Sequence, residues 1–138
     1  MIAVTHRYGF PAAHVLAHPS LSEPENRRIY GKCANPHGHG HDYGLEVTVA
    51  GEPDAHSGHV IDPSCLERIV REVVLDRFAH RTLNDDALFD GRVPTAENLA
   101  LVVYERLRGR IAAACTGRLL RVRIVETSRN AFVCGEMP

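Results

Sequence analysis

Three histidines at alternate positions, His37, His39 and His41, separated by single glycines and preceded by Cys33, constrain this chain more than any other stretch. In an extended backbone, residues two apart point to the same side, about 7 Å apart from Cα to Cα. Two imidazoles at that spacing reach one metal ion, whose bonds to nitrogen are about 2.0–2.1 Å long. Gly38 and Gly40 leave the backbone uncrowded beside whatever binds there. The segment reads as a metal site with a thiol nearby. A His-rich loop with no metal is the weaker alternative.

The hydrophobic pattern on either side sets the fold class. Residues 2–10 read as a strand ending at Gly9-Phe10-Pro11, and the polar stretch from His18 to Lys32 reads as a long loop. Tyr43 to Ala50 alternates, with Leu45, Val47 and Val49 on one face and Glu46 and Thr48 on the other, which predicts a half-buried strand. A turn and a short strand through Val60 and Ile61 lead to Asp62-Pro63, a helix start. Leu66, Ile69, Val70, Val73 and Val74 then form one helical stripe. A second helix begins at Thr95 and buries Leu99, Ala100, Val103 and Leu107. Leu120, Val122 and Ile124 alternate in a strand running into Glu126-Thr127, and Ala131 to Cys134 pairs back after a turn. The expected architecture is α+β in the order ββααββ, a four-stranded antiparallel sheet with two helices on one face. Such a sheet has exposed edges, so a homo-oligomer is expected.

At 138 residues the chain is expected to form a single domain over residues 1–138. A net charge of −1 gives no general attraction to nucleic acid or anionic membrane, so neither is an expected partner. No apolar run approaches the ~20 residues that span a bilayer, and Met1-Ile2-Ala3-Val4-Thr5-His6 lacks a signal-peptide pattern. A cytoplasmic location is the expectation. The four cysteines contain no C-x-x-C pair, so no disulfide framework is expected. Cys65, Cys115 and Cys134 read as small half-buried hydrophobes, and only Cys33 has chemically suggestive neighbours.

Two histidines do not complete a catalytic zinc site, which takes three protein ligands and keeps a fourth position open. The third comes from His6, His14, His18, His37, His56, His59 or His80, and spacing does not choose among them. His14 qualifies if a hairpin-like return after Phe10-Pro11-Ala12-Ala13 carries it beside His39 and His41.

Several further motifs stand in order along the chain. They are Phe10-x-x-x-His14, Tyr30-Gly31-Lys32-Cys33-x-Asn35-Pro36-x-Gly38-His39-Gly40-His41-x-Tyr43, and Gly51-Glu52-x-Asp54-x-x-Ser57-Gly58. Leu83-Asn84, Pro94-Thr95-x-Glu97-Asn98 and Glu126-Thr127-x-x-Asn130 follow. Together they resemble the 6-pyruvoyltetrahydropterin synthase and 6-carboxytetrahydropterin synthase family nearly end to end. The resemblance implies the tunnelling fold, in which subunits join their sheets into a barrel, with active sites at subunit interfaces and a hexamer as the assembly. It implies a zinc-dependent lyase acting on a pterin triphosphate, 7,8-dihydroneopterin triphosphate. The product is 6-carboxytetrahydropterin, on a route toward deazapurines such as queuosine, or 6-pyruvoyltetrahydropterin.

Carried onto this sequence, the resemblance makes His14, His39 and His41 the zinc ligands, Cys33 the catalytic thiol and His80 the proton-relay histidine. Glu126 becomes the carboxylate that anchors the pterin ring, with Thr127, Thr95 and Glu97 as further substrate contacts. His37 stands where many relatives have Asn and is not counted as a ligand. One departure matters: relatives carry Asp immediately before the relay histidine, and here that residue is Ala79. An Asp would orient the imidazole and favour its protonated form, and Asp76, Asp85 and Asp86 are the available substitutes. Ala79 keeps two alternatives in play, a diverged pterin side-chain lyase and a catalytically weak pterin- or zinc-binding module. Other readings also stand beside these roles: Cys33 as a fourth ligand of a closed zinc site, Glu126 as a solvated carboxylate, and Thr95 and Glu97 as helix-start residues.

Overall fold

The computed structural model describes residues 1–138. Strand β1 (Ile2–His14) pairs antiparallel with β2 (His39–Gly51) along their whole length, from Ile2 opposite Gly51 to His14 opposite His39. A short helix, α1 (Glu23–Tyr30), and one 3-10 turn, Gly31–Ala34, lie between them. Helix α2 (Pro63–Val70) runs through a π-helical turn, Arg71–Leu75, into α3 (Asp76–Phe78). Strand β3 (Arg81–Thr82) joins the far edge of β1 in parallel. The longest helix, α4 (Ala96–Ala114), precedes the hairpin of β4 (Arg118–Thr127) and β5 (Asn130–Gly135). The sheet order is β3-β1-β2-β4-β5.

The predicted stripes form one core. Leu45, Val47 and Val49 of β2 are fully buried together with Leu66, Ile69 and Val70 of α2 and Leu99, Val103 and Leu107 of α4. Each such side chain contributes about 1.5–3 kcal/mol on burial, which is what holds the helices on this face. No helix is long and apolar enough to cross a membrane.

Four expectations need correction. The sheet has five strands, because the two residues of β3 add a parallel edge that periodicity cannot reveal. The first strand does not stop at Pro11 but runs on to His14. The Pro11 carbonyl accepts the His80 N–H at 2.7 Å, on the β3 side. A strand residue's N–H and C=O point the same way, so the donor that proline lacks would have faced that side, and the β2 ladder loses nothing. The stretch from His18 to Lys32 is not a continuous loop. Ser22 caps α1 by accepting the Glu25 N–H, and Pro24 sits in its first turn. Finally, Val60 and Ile61 pair with no strand; they are buried and close the core at the far end of β2.

Candidate metal centre

The β1–β2 register builds the site. Because His14 sits opposite His39 and Ala12 opposite His41, alternation turns all three histidines to the face that carries the helices. No hairpin return is needed; two long strands simply end and begin together. The turn Asn35–Gly38 delivers β2 to that point, with the Gly38 N–H donating to the Asn35 carbonyl at 2.9 Å. Gly38 has φ +75°, and a Cβ there would lie 3.3 Å from the His14 carbonyl oxygen, so this position requires glycine. His37 is exposed in the same turn and stands apart from the cluster.

The three imidazole donor atoms lie within 4.8 Å of one another. His14 Nε2 and His39 Nε2 are 2.9 Å apart. His14 is fully buried, and its Nδ1 sits 2.8 Å from the Pro94 carbonyl oxygen, with the Tyr43 hydroxyl at 3.3 Å. A carbonyl can only accept, so Nδ1 carries the proton and the Nε2 lone pair faces the cluster. Burial, followed by the neighbouring histidines' charge, holds His14 below the usual imidazole range, although the Pro94 carbonyl acts in the opposite direction. Burial and His41 do the same to His39. Burial also pushes the Tyr43 phenol well up, so it stays neutral. Imidazoles kept neutral, with one tautomer pinned from behind, fit a divalent metal, and a set of nitrogen donors suits zinc, copper, iron or nickel. These three residues could hold a metal ion.

Glu126, the penultimate residue of β4, lies beside the cluster. One carboxylate oxygen lies 4.0 Å from His14 Nε2 and 3.9 Å from His41 Nε2, while the other accepts from Asn130 Nδ2 at 3.0 Å. Asn130 thus aims the carboxylate. The Glu126-Thr127-x-x-Asn130 spacing carries that signal, since a tight β4–β5 turn brings positions 126 and 130 together. Thr127 is occupied within this turn: its hydroxyl donates to Asn130 Oδ1 at 2.6 Å and accepts the Arg129 N–H at 3.1 Å.

Thr95 is the N-cap of α4, accepting the Asn98 N–H at 3.2 Å, and Glu97 is exposed in the first turn. Asn98 Nδ2 donates to the Val93 carbonyl at 2.8 Å and fixes the loop that presents Pro94 to His14. That motif therefore reaches the site through a backbone carbonyl, a contact that side-chain reasoning misses along with Tyr43. Cys33 lies half-buried in the 3-10 turn, and its carbonyl accepts the Leu16 N–H at 2.8 Å, tying it to the chain just beyond His14. Its sulfur does not join the three convergent donors.

His80 sits elsewhere in the chain's geometry. It lines a shallow cavity of about 340 Å³ with Pro11, Ala12, Ala13, Gly40, His41 and Asp42, and its ring is not one of the three convergent donors. Its φ of +62° is in the left-handed region, strained for a non-glycine residue. Of the carboxylates that follow, Asp86 is engaged by Arg77 through two hydrogen bonds of 2.8 Å. Asp85 makes no ion pair and lines a second cavity with His80.

Comparison with known proteins identifies the family. The sequence model of the family described as 6-pyruvoyl tetrahydropterin synthase matches residues 3–136. A 6-pyruvoyl tetrahydrobiopterin synthase of Poecilia reticulata is 37% identical over 131 residues, 94% of this chain and 87% of that protein. The Homo sapiens protein of the same name is 36% identical over 131 residues, 94% of this chain and 88% of that one. The solved structure of Caenorhabditis elegans 6-pyruvoyl tetrahydropterin synthase superposes with a TM-score of 0.89 at 35% identity, covering 99% of this chain and 96% of that one. The α+β architecture is the tunnelling fold. The chain belongs to the 6-pyruvoyl tetrahydropterin synthase family and is an enzyme of its lyase type.

Proposed function

We propose that this protein converts 7,8-dihydroneopterin triphosphate to 6-pyruvoyltetrahydropterin with loss of triphosphate, using zinc held by His14, His39 and His41. The observation that carries the reading is the convergence of three buried or half-buried imidazoles beside a carboxylate that Asn130 holds in place. Bound zinc would supply Lewis-acid polarisation of the substrate's side-chain oxygens.

The chain's own residues account for the remaining chemistry. Glu126 accepts hydrogen bonds from the amino and amide N–H groups of the pterin ring, discriminating against rings that lack those donors. Cys33, as thiolate, removes the proton from the first side-chain carbon, next to the ring imine into which the negative charge delocalises. His80 relays protons as triphosphate leaves and tautomerisation carries reducing equivalents into the ring. No redox cofactor is required by this balance. Thr95, Glu97 and Thr127 are further substrate contacts in this reading, Thr95 also capping α4 and Thr127 also bracing the β4–β5 turn.

Because His80 is exposed and is not among the three convergent donors, we assign His80 of one subunit to the site of another. The unpaired outer edge of β5 and the two-residue β3 support assembly through sheet edges.

The test is turnover of 7,8-dihydroneopterin triphosphate by zinc-loaded protein, following triphosphate and acetaldehyde. Triphosphate release without acetaldehyde supports the pyruvoyl product. Acetaldehyde release would assign side-chain cleavage and the 6-carboxy product instead. Cys33→Ala is expected to keep stoichiometric metal and lose most turnover; loss of metal would make Cys33 a ligand.

Ala79 favours a second reading, a diverged pterin side-chain lyase or a weakly catalytic pterin-binding module. Tight pterin binding with no triphosphate release would select the binding module.

A further inference from the structure

Two cysteines that sequence reading treats as core filler meet at the end of the molecule away from the histidines. Cys65, in the first turn of α2, and Cys115, the C-cap of α4, place their sulfurs 3.0 Å apart across 50 positions of sequence. A disulfide bond is about 2.05 Å long, so a shift of ~1 Å separates this contact from a covalent link. Both residues are only half-buried. We propose that Cys65 and Cys115 form a reversible redox staple, closed by a small-molecule disulfide of the glutathione class, which locks α2 to the C-terminal end of α4.

The surroundings assign the order of events. Burial, and then the neighbouring Cys65 sulfur, push the Cys115 thiol up to about 12, so Cys115 stays protonated. Arg68 Nη2 lies 3.9 Å from Cys65 Sγ, a cation beside the attacking sulfur. Cys115 also lines a cavity of about 450 Å³ whose wall carries Arg108 and Arg118, the latter paired with Glu136 at 2.6 Å, giving room for a small disulfide beside the Arg108 cation. The Cys65 thiolate attacks that disulfide, breaking its S–S bond and releasing one thiol while a mixed disulfide forms. Cys115 sulfur then attacks the Cys65 sulfur, its proton passes to solvent, and the second thiol leaves. The two cysteines are oxidised by two electrons and the external disulfide is reduced to two thiols.

The staple lies far from the chemistry. Cys115 precedes β4, and Arg118 at the start of β4 pairs with Ala50 near the end of β2. The histidines occupy the other end of that strand, roughly 30–36 Å away at a rise of ~3.3 Å per residue. The device therefore acts on stability and not on turnover. Cross-linking α2 to α4 restricts the unfolded chain across a long loop, which is where a disulfide is most effective.

The experiment is titration of the native protein with oxidised against reduced glutathione, read by intact mass, cysteine peptide mapping and thermal melting. The expected result is loss of two hydrogens, a Cys65–Cys115 cross-linked peptide, and a melting temperature raised by roughly 10 °C and restored by reductant. Cys65→Ser and Cys115→Ser should each abolish the cross-link and the rise in melting temperature, with turnover unchanged. Stable glutathione adducts on Cys65 and Cys115 without an internal bond would overturn the proposal. So would a cross-link to Cys33 or Cys134, a cross-link with unchanged melting, or no reaction under conditions that oxidise the unfolded chain.

Discussion

His14 and His39 are direct partners across the β1–β2 ladder, with their Nε2 atoms 2.9 Å apart. Strand register thus sets the spacing of two donors from segments 25 positions apart. A one-residue slip would turn one histidine to the opposite face.

Replacing any of these histidines should therefore abolish metal retention without unfolding the chain. His39→Ala is expected to lose stoichiometric metal by elemental analysis while keeping its secondary structure by circular dichroism. Tyr43→Phe removes only the second oxygen beside His14 Nδ1 and leaves the Pro94 carbonyl in place. Its metal affinity should fall no more than about 10-fold, the low end for groups that orient a ligand. A loss as large as that of His39→Ala would refute this ranking.

Asn130 should behave as a positioning residue for Glu126. Asn130→Ala frees one carboxylate oxygen and loosens the β4–β5 turn, leaving the three imidazoles untouched. The expected result is a KM for the pterin raised about 10-fold with metal content unchanged, in line with 1.5–3 kcal/mol for a hydrogen bond to a charged group. Glu126→Gln should reduce kcat/KM further, and combining the two changes should add little, because both act on one contact. Strict additivity would refute the coupling.

The sequence made the core legible because helix and strand periods are written in Leu45, Val47, Val49 and Leu66, Ile69, Val70, and these residues do meet. It also made the clustered histidines legible, although choosing His14 among seven candidates needed the family motif. What stayed hidden was carried by the backbone. The Pro94 carbonyl behind His14, the N–H of His80 on Pro11, and the parallel edge of β3 leave no side-chain signature. Pro19, Pro24 and Gly31 suggest a loop from His18 to Lys32, yet Ser22 and Glu25 cap a short helix inside it. The meeting of Cys65 and Cys115 depends on how two helices pack, which local pattern does not encode.

Asp86 should make stability depend on pH in acid. Burial alone would raise its carboxyl, but the hydrogen bonds from Arg77 and from the Leu88 N–H outweigh that and hold it below the usual range. A carboxylate with a depressed folded-state pKa stabilises the fold above its unfolded value near 3.9, and the contribution is lost as pH falls through the folded value. Asp86→Asn keeps an acceptor for the Leu88 N–H and removes the charge. At pH 7 it should cost about 2 kcal/mol in urea unfolding, and the gap to the parent should close below about pH 4. A gap that persists unchanged into acid would mean that packing, not the ion pair, sets the cost.

His80 sets function against stability most directly. Its φ of +62° costs an L-residue roughly 1–2 kcal/mol, a strain that β3 and the Pro11 hydrogen bond sustain. His80→Gly relieves it, while the added freedom of glycine in the unfolded chain returns about 0.4–1 kcal/mol of the gain. The variant should therefore be more stable than the parent by about 0.5–1 kcal/mol, with metal content unchanged and turnover largely lost. His80→Ala keeps the strain and should be less stable than His80→Gly, though equally impaired in turnover. Mixing His80→Gly subunits with Cys33→Ala subunits gives the decisive readout. If His80 serves a neighbouring subunit's site, some mixed assemblies contain a complete site, and turnover should recover in part where either variant alone shows little. If His80 works within its own chain, every site in the mixture lacks one group and no activity returns.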